Sequence, residues 1–364
     1  VDCQQTEWLS NDEFLRRFGQ RAIDERIPLS GSIALTNRCN LRCIHCYVGG
    51  QQCPSASDEL TTDEIIQILD DVIEAGCFQL CLTGGEPLLR KDFADIYTYA
   101  RSKGLLVTVF TNATLTSDSL VSLFRELPPY CVEISLYGAT AETYERITGV
   151  KGSFEACMSG IDRFVDAGIR IALKTVAIKT NEHELDDLSA LAASYGAEFR
   201  TDPAIFPRFN GDRAPIELRL DPALAVAHEF ADPKCAAKWR DYYNTFQASE
   251  PSGALYVCGT GVTMFHIEPD GMLYPCLMCR SVSYDLRSGS FREGWENVIP
   301  RVREKRVAEG ARCATCDKQA ICGYCPPFAE LDTGSEQGCP EYLCAIADHR
   351  LAAIRRANAE AAQE

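Results

Sequence analysis

Cys39-Asn40-Leu41-Arg42-Cys43-Ile44-His45-Cys46-Tyr47 sets three thiols into eight residues, with the spacing Cys-x3-Cys-x2-Cys. Soft sulfur ligands select zinc or an iron–sulfur cluster, and a closed site of either kind takes four protein ligands. Three leave one position open. An apolar run, Gly31-Ser-Ile-Ala-Leu-Thr36, precedes the segment and reads as a strand, so the thiols fall on the loop at its carboxyl end. A zinc knuckle or unconnected thiols are the plainer alternative.

Composition bounds the rest. With 364 residues, 46% of them hydrophobic, the chain can bury one large domain and a smaller one. A net charge of −16 excludes an electrostatic grip on a nucleic-acid backbone and suits a basic partner. No apolar run is long enough to span a bilayer and no signal-like segment precedes Cys39, so the expected location is the cytoplasm, away from membranes. Nineteen cysteines are too many for a reducing compartment unless most are metal ligands or buried thiols.

Between Gly31 and Ile205, β-branched runs alternate with amphipathic stretches, the pattern of parallel βα units. Strands are expected near 32–36, 78–83, 105–111, 131–136, 169–177 and 198–204, and helices from Thr61 and over about 93–103, 117–127, 140–148, 153–167 and 182–195. Thr61 and Glu64 form a capping box for the first of these. Six units are two short of a closed barrel, so the α/β fold is an open, partial (β/α)6 TIM-type barrel with ligands at the strand carboxyl ends. Residues 1–30 form an N-terminal segment whose short helix docks through Phe14, Leu15 and Phe18. Residues 206–250 form a bridge with a helix capped by Asp221-Pro222, 251–350 a cysteine-rich domain, and 351–364 a helical tail. Cys3 receives no role, and Cys77, Cys81, Cys131 and Cys157 read as buried hydrophobes.

Thr83-Gly84-Gly85-Glu86-Pro87 ends the second strand, with glycines that admit close backbone approach and an acidic acceptor before a rigid proline. Together with the three-cysteine loop some forty residues earlier, it resembles the signature of the radical S-adenosylmethionine (SAM) enzymes. That resemblance implies a [4Fe–4S] cluster on Cys39, Cys43 and Cys46, with S-adenosyl-L-methionine on the open iron and its amino group at Gly84–Pro87. His45 stands where the family usually has an aromatic. With Tyr47 it joins the expected cofactor contacts, as do the strand-end residues Asn112 and Ser135, Arg146 on the following segment, and Lys174, an inward cation for the methionine carboxylate.

The C-terminal third carries Cys258, Cys276, Cys279, then Cys313-x2-Cys316-x5-Cys322-x2-Cys325, and finally Cys339 and Cys344. Short cysteine pairs brought together by a hairpin signal metal far more strongly than one pair alone. The array resembles the SPASM domain, which binds two auxiliary [4Fe–4S] clusters and would bring the total to three. The resemblance implies Cys313, Cys316, Cys322 and Cys344 for one cluster, and Cys258, Cys276 and Cys325 for the other. The last gap is x2 where the family usually has x3. The stretch Gly259-Thr-Gly-Val-Thr-Met264 lacks a cysteine that some relatives have, making Cys279 the natural substitute, while Cys339 is a spare.

The resemblance implies reductive cleavage of SAM to a 5′-deoxyadenosyl radical and hydrogen abstraction from a peptide, with a thioether, C–C or C–O cross-link as the leading outcome. An electron donor such as flavodoxin or ferredoxin is implied. No stretch is long enough for a leader-recognition domain, so a separate recognition protein or the barrel itself would serve. Oxidation or epimerisation of a small molecule is the alternative on the same machinery. A sulfatase-type maturase is weakened by Leu277, where those enzymes have an Asp, and a non-catalytic cluster scaffold is opposed by retention of both motifs.

Overall fold

The computed structural model describes residues 9–49, 58–247 and 253–361; Cys3 lies outside them. Six parallel strands form in chain order: β1 (Ser30–Ala34), β2 (Gln79–Thr83), β3 (Leu106–Thr111), β4 (Cys131–Ser135), β5 (Ile171–Val176) and β6 (Glu198–Asp202). The register places Ser32, Cys81, Thr108, Cys131 in one row and Phe110, Glu133, Ala172, Glu198 in the next. Alternation then fixes the faces: Ile33, Leu82, Val109, Val132, Ile134 and Leu173 are fully buried under the helices, and the mixed polar rows line the concave side.

The crossover helices are α2 (Thr62–Glu74), α3 (Phe93–Ser102), α4 (Asp118–Glu126), α5 (Ala141–Thr148), α6 (Ser153–Asp166) and α7 (Leu185–Ser194), preceded by α1 (Asn11–Asp24). The capping box at Thr61 is formed, with Glu64 answering the Thr61 N–H at 2.7 Å. Asp221 caps α8 (Pro222–Ala231) from the Ala223 N–H, and α9 (Pro233–Gln247) follows.

Three expectations change. Strand β7 (Met264–Ile267) pairs parallel with β1, and β8 (Met272–Tyr274) and β9 (Tyr284–Asp285) continue antiparallel, giving one sheet ordered 6-5-4-3-2-1-7-8-9. The start of the expected cysteine-rich domain is thus welded to the barrel, because β1 has a free edge that a hairpin can occupy. No boundary falls at residue 350 either, since one helix, Glu341–Ala361, runs through it. Finally, Phe14 and Leu15 are 56% and 62% exposed, so the expected docking face of α1 stays largely in solvent. Phe18 alone touches the barrel, edge-on to Phe78 at 6.3 Å.

Candidate functional site

The two motifs are zipped together by backbone. Gly85 N donates to Thr36 O at 2.7 Å and Glu86 N to Arg38 O at 2.9 Å. A Cβ at Gly84 would lie 2.3 Å from Thr36 O, and one at Gly85 2.3 Å from Arg38 O. The glycines are therefore required by the approach of the cysteine-loop backbone. Glu86 turns inward. Its fully buried carboxylate accepts from Thr111 Oγ1 (2.8 Å), Asn112 N (2.7 Å) and Leu88 N (3.1 Å). Burial raises its pKa to about 7 against the lowering effect of those bonds. Pro87 opens a short turn, Pro87–Leu89, and is buried.

From the end of β3, Asn112 donates to Asn40 Oδ1 at 2.9 Å, and Asn40 donates to Thr114 at 2.7 Å, so the loop is tied across the strand ends. The end of α5 holds it from below: Arg42 N reaches Thr148 O and Ile44 N reaches Ile147 O. Leu41 N donates to Cys39 Sγ at 3.4 Å. Burial pushes the Cys39 thiol up to about 11 and raises Cys43 as well, with the neighbouring thiols adding to it. As free groups these would stay protonated, and a bound cation takes the proton's place. His45 packs edge-on to Tyr137 (4.5 Å), its buried Nδ1 has no hydrogen-bond partner among the described residues, and burial lowers its pKa to about 4. Tyr47 sits between Phe206 and Phe209 with its phenol raised by burial.

Lys174 and Arg146 both have protein partners. Lys174 forms an ion pair with Glu133 inside the barrel and lies 3.9 Å over the Phe110 ring, because strand register sets these side chains on one face. Exposed Arg146 donates to Thr180 O at 3.1 Å. Ser135 stands beside the Tyr137 phenol. Across the barrel, buried His266 meets Ser32 Oγ at 2.7 Å, and Arg280 bonds Glu268 at 2.5 Å between the rings of Phe209 and Tyr274.

The cysteines from Cys258 to Cys344 gather in two groups. Cys325 is pushed up to about 12 by burial, with Cys276, Cys258 and Cys279 adding their charge. Cys279 is fully buried and Cys258 exposed. In the other group, burial and mutual repulsion raise Cys313 and Cys344 to about 12 and Cys322 to about 11, with Cys316 beside them. Cys339, a spare in the sequence, lies 3.2 Å from Cys344 Sγ. Among the described residues no three donors close on a point as they would around one metal ion. A cubane distributes its thiolates over separate irons, and soft, half-buried thiols are the donor set it takes.

A family model described as the radical SAM superfamily matches residues 33–192, a span containing both zipped motifs. The mycofactocin maturase MftC of Mycobacterium ulcerans is 30% identical over 331 residues, covering 87% of this chain and 88% of that protein. This chain belongs to the radical SAM superfamily. An AdoMet-dependent heme synthase of Methanosarcina barkeri is 28% identical, covering 82% of this chain and 91% of that protein. The crystal structure of Streptococcus suis SuiB shares the fold at a TM-score of 0.71 and 16% identity, covering 94% of this chain and 84% of that one.

As a radical SAM enzyme, with a cysteine-rich C-terminus, the protein takes SAM and a [4Fe–4S] cluster. No helix among the described residues is long and apolar enough to cross a membrane. Sequence reasoning read Tyr137 only as a strand-end hydrogen-bonding candidate beside Ser135 and Phe206–Asp212 only as part of a bridge, and it missed that Asn40 and this segment tie down the cysteine loop. Their signal is long-range contact, apart from the Asn210-Gly211-Asp212 turn, which marks a tight return of the chain.

Proposed function

We propose that this radical SAM enzyme oxidatively cross-links a peptide, with one SAM cluster held by Cys39, Cys43 and Cys46 and two auxiliary clusters in the C-terminal region. The observation that carries this reading is the gathering of two further thiol groups. Simple hydrogen abstraction needs no second redox centre, but joining two groups with loss of two hydrogens must dispose of an electron after it. Cys258, Cys276, Cys279 and Cys325 would hold one auxiliary cluster. Cys313, Cys316, Cys322 and Cys344 would hold the other, with Cys339 at its edge.

Bound SAM and its cluster supply a 5′-deoxyadenosyl radical. The chain's own contribution is placement and exclusion of water. Asn112 and Asn40 fix the cysteine loop, Tyr137 and His45 cover it, and the Glu133–Lys174 pair sets the polarity of the barrel floor. Similarity to a mycofactocin maturase over 87% of this chain supports a peptide substrate. The similarly extensive match to a heme synthase favours, as second reading, oxidation of a small molecule on the same machinery. Flavodoxin or ferredoxin as donor, a separate leader-recognition protein and a cytoplasmic setting complete the proposal.

The test is anaerobic reconstitution with iron and sulfide counting, then incubation with SAM, reductant and either peptides encoded beside the gene or an iron porphyrin. About twelve iron per chain and a peptide lighter by two hydrogens support the proposal. Consumption of an iron porphyrin with no change in any peptide supports the second reading. About four iron per chain overturns the auxiliary assignments.

A further inference from the structure

The segment Phe206–Asp212 lies beyond the superfamily match yet grips the cysteine loop. Arg208 Nε donates to Cys46 O at 3.1 Å and its Nη2 to Ile44 O at 3.3 Å. Its Nη1 pairs with the Asp212 carboxylate. Phe209 N donates to Tyr47 O at 3.1 Å, and the Tyr47 ring is held between Phe206 and Phe209, at 5.6 and 5.3 Å. A tight turn backs this up, with Gly211 N on Arg208 O at 2.8 Å and Arg208 N on Asp212 O at 2.9 Å. Three carbonyls of the loop, those of Ile44, Cys46 and Tyr47, are thus occupied by one short stretch 162 to 164 residues away.

Its other end is fixed on the cysteine-rich side. Arg219 bridges Ile205 O and Asp332 Oδ1, both at 2.9 Å, and Arg213 donates to Asp332 O at 2.9 Å. Phe206 also meets Phe328 at 6.1 Å. Phe328 and Asp332 belong to the helix Pro326–Thr333, for which Cys325 is the N-cap.

A planar trans peptide points its N–H opposite its carbonyl. Pinning Ile44 O and Cys46 O therefore also orients the His45 and Tyr47 N–H groups, and hydrogen bonding around the sulfurs is what tunes an iron–sulfur centre. The planar guanidinium can serve two carbonyls and a carboxylate at once, which a lysine ammonium cannot do in the same fixed geometry.

We propose that Arg208 is a positioning residue for the SAM cluster, and that the strap Phe206–Asp212 couples that cluster's loop through Asp332 to the auxiliary cysteine region. The proposal rests on the reading that Cys39, Cys43 and Cys46 hold the cluster.

The test uses full-length, anaerobically reconstituted wild type, R208A, R208K and D332N. Readouts are iron per chain, the electron paramagnetic resonance spectrum of the reduced protein with and without SAM, and the SAM dissociation constant. In wild type, SAM shifts the signal of one cluster. In R208A that response is lost, with about four iron released and the remainder retained. In R208K the iron stays and SAM binding weakens by about tenfold, corresponding to one lost charge-assisted contact. In D332N the same response weakens less than in R208A.

An R208A protein with the wild-type SAM response and iron overturns the positioning role. Should R208A lose all iron by misfolding, R208K decides, and a wild-type response there overturns the role equally. A wild-type response in D332N beside a defective R208A overturns the coupling. Absence of any SAM response in wild type itself refutes the underlying site assignment instead.

Discussion

Gly85→Ala tests the zip between the two motifs most directly. Gly85 has no positive φ, so the substitution acts through space alone. The new Cβ would meet Arg38 O at 2.3 Å, Arg38 C at 2.7 Å and Asn37 O at 2.8 Å, whereas ordinary contact begins at 3.4 Å. These are backbone atoms and cannot rotate away. The two segments must part by about 1 Å, and a misplacement of that size in a catalytic arrangement lowers the rate by about 100-fold. The hydrogen bonds from Gly85 N and Glu86 N stretch with it, at about 1 kcal/mol each. The assay is the initial rate of 5′-deoxyadenosine formation by reconstituted enzyme under reductant, beside iron counting. Gly19→Ala, in α1 with nothing within 4 Å, is the control and should retain full activity. A Gly85→Ala enzyme with full iron and a rate within about threefold of wild type would refute the steric reasoning.

Glu86→Gln should flatten the pH dependence of apo-protein stability. The carboxyl's folded pKa of about 7 lies above its ordinary 4.5, so the native state holds the proton more tightly than the unfolded one. Wild-type stability therefore falls as pH rises through that window, by about 3 kcal/mol in all from this group. Parallel denaturation profiles for the two proteins between pH 5 and 8 would contradict it. Cys279→Ser should remove about four iron per chain and Cys339→Ser none, as read by iron analysis; the reverse order would exchange their roles. Thr61→Ala should destabilise the protein by about 1 kcal/mol in denaturant titration through loss of the capping box, with SAM cleavage unchanged.

What was legible in the sequence is what local chemistry controls. Alternating apolar runs locate β1 to β6 to within a few residues, since a strand buried on one face under helices must repeat every second position. Thr61 and Asp221 mark helix starts because a side-chain oxygen is needed where backbone N–H groups lack partners. The cysteine spacings likewise foretell which thiols lie near one another, as thiols close in sequence cannot be far apart in space. Glu86 shows where this stops. Its position in the motif is local information, but its direction depends on Thr111 and Asn112 arriving from β3. Lys174 is similar, since its partner Glu133 is set by the register of β4 on β5.

Glu86 belongs to a layer of buried polar groups that hold backbone in place around the two motifs. The cysteine loop is supported from three directions by Asn112 at β3, by Ile147 and Thr148 at the end of α5, and by Arg208 from the bridge. Only the first two lie within the segment that the superfamily model matches. A site built to generate a radical must hold its reacting groups without letting water or a stray side chain reach them. Buried carboxylates and guanidiniums satisfied by backbone serve that end, because moving any of them would strand a polar group in the interior. Variation among relatives that share the motifs but not the bridge would then alter how firmly the loop is held while leaving its ligands in place.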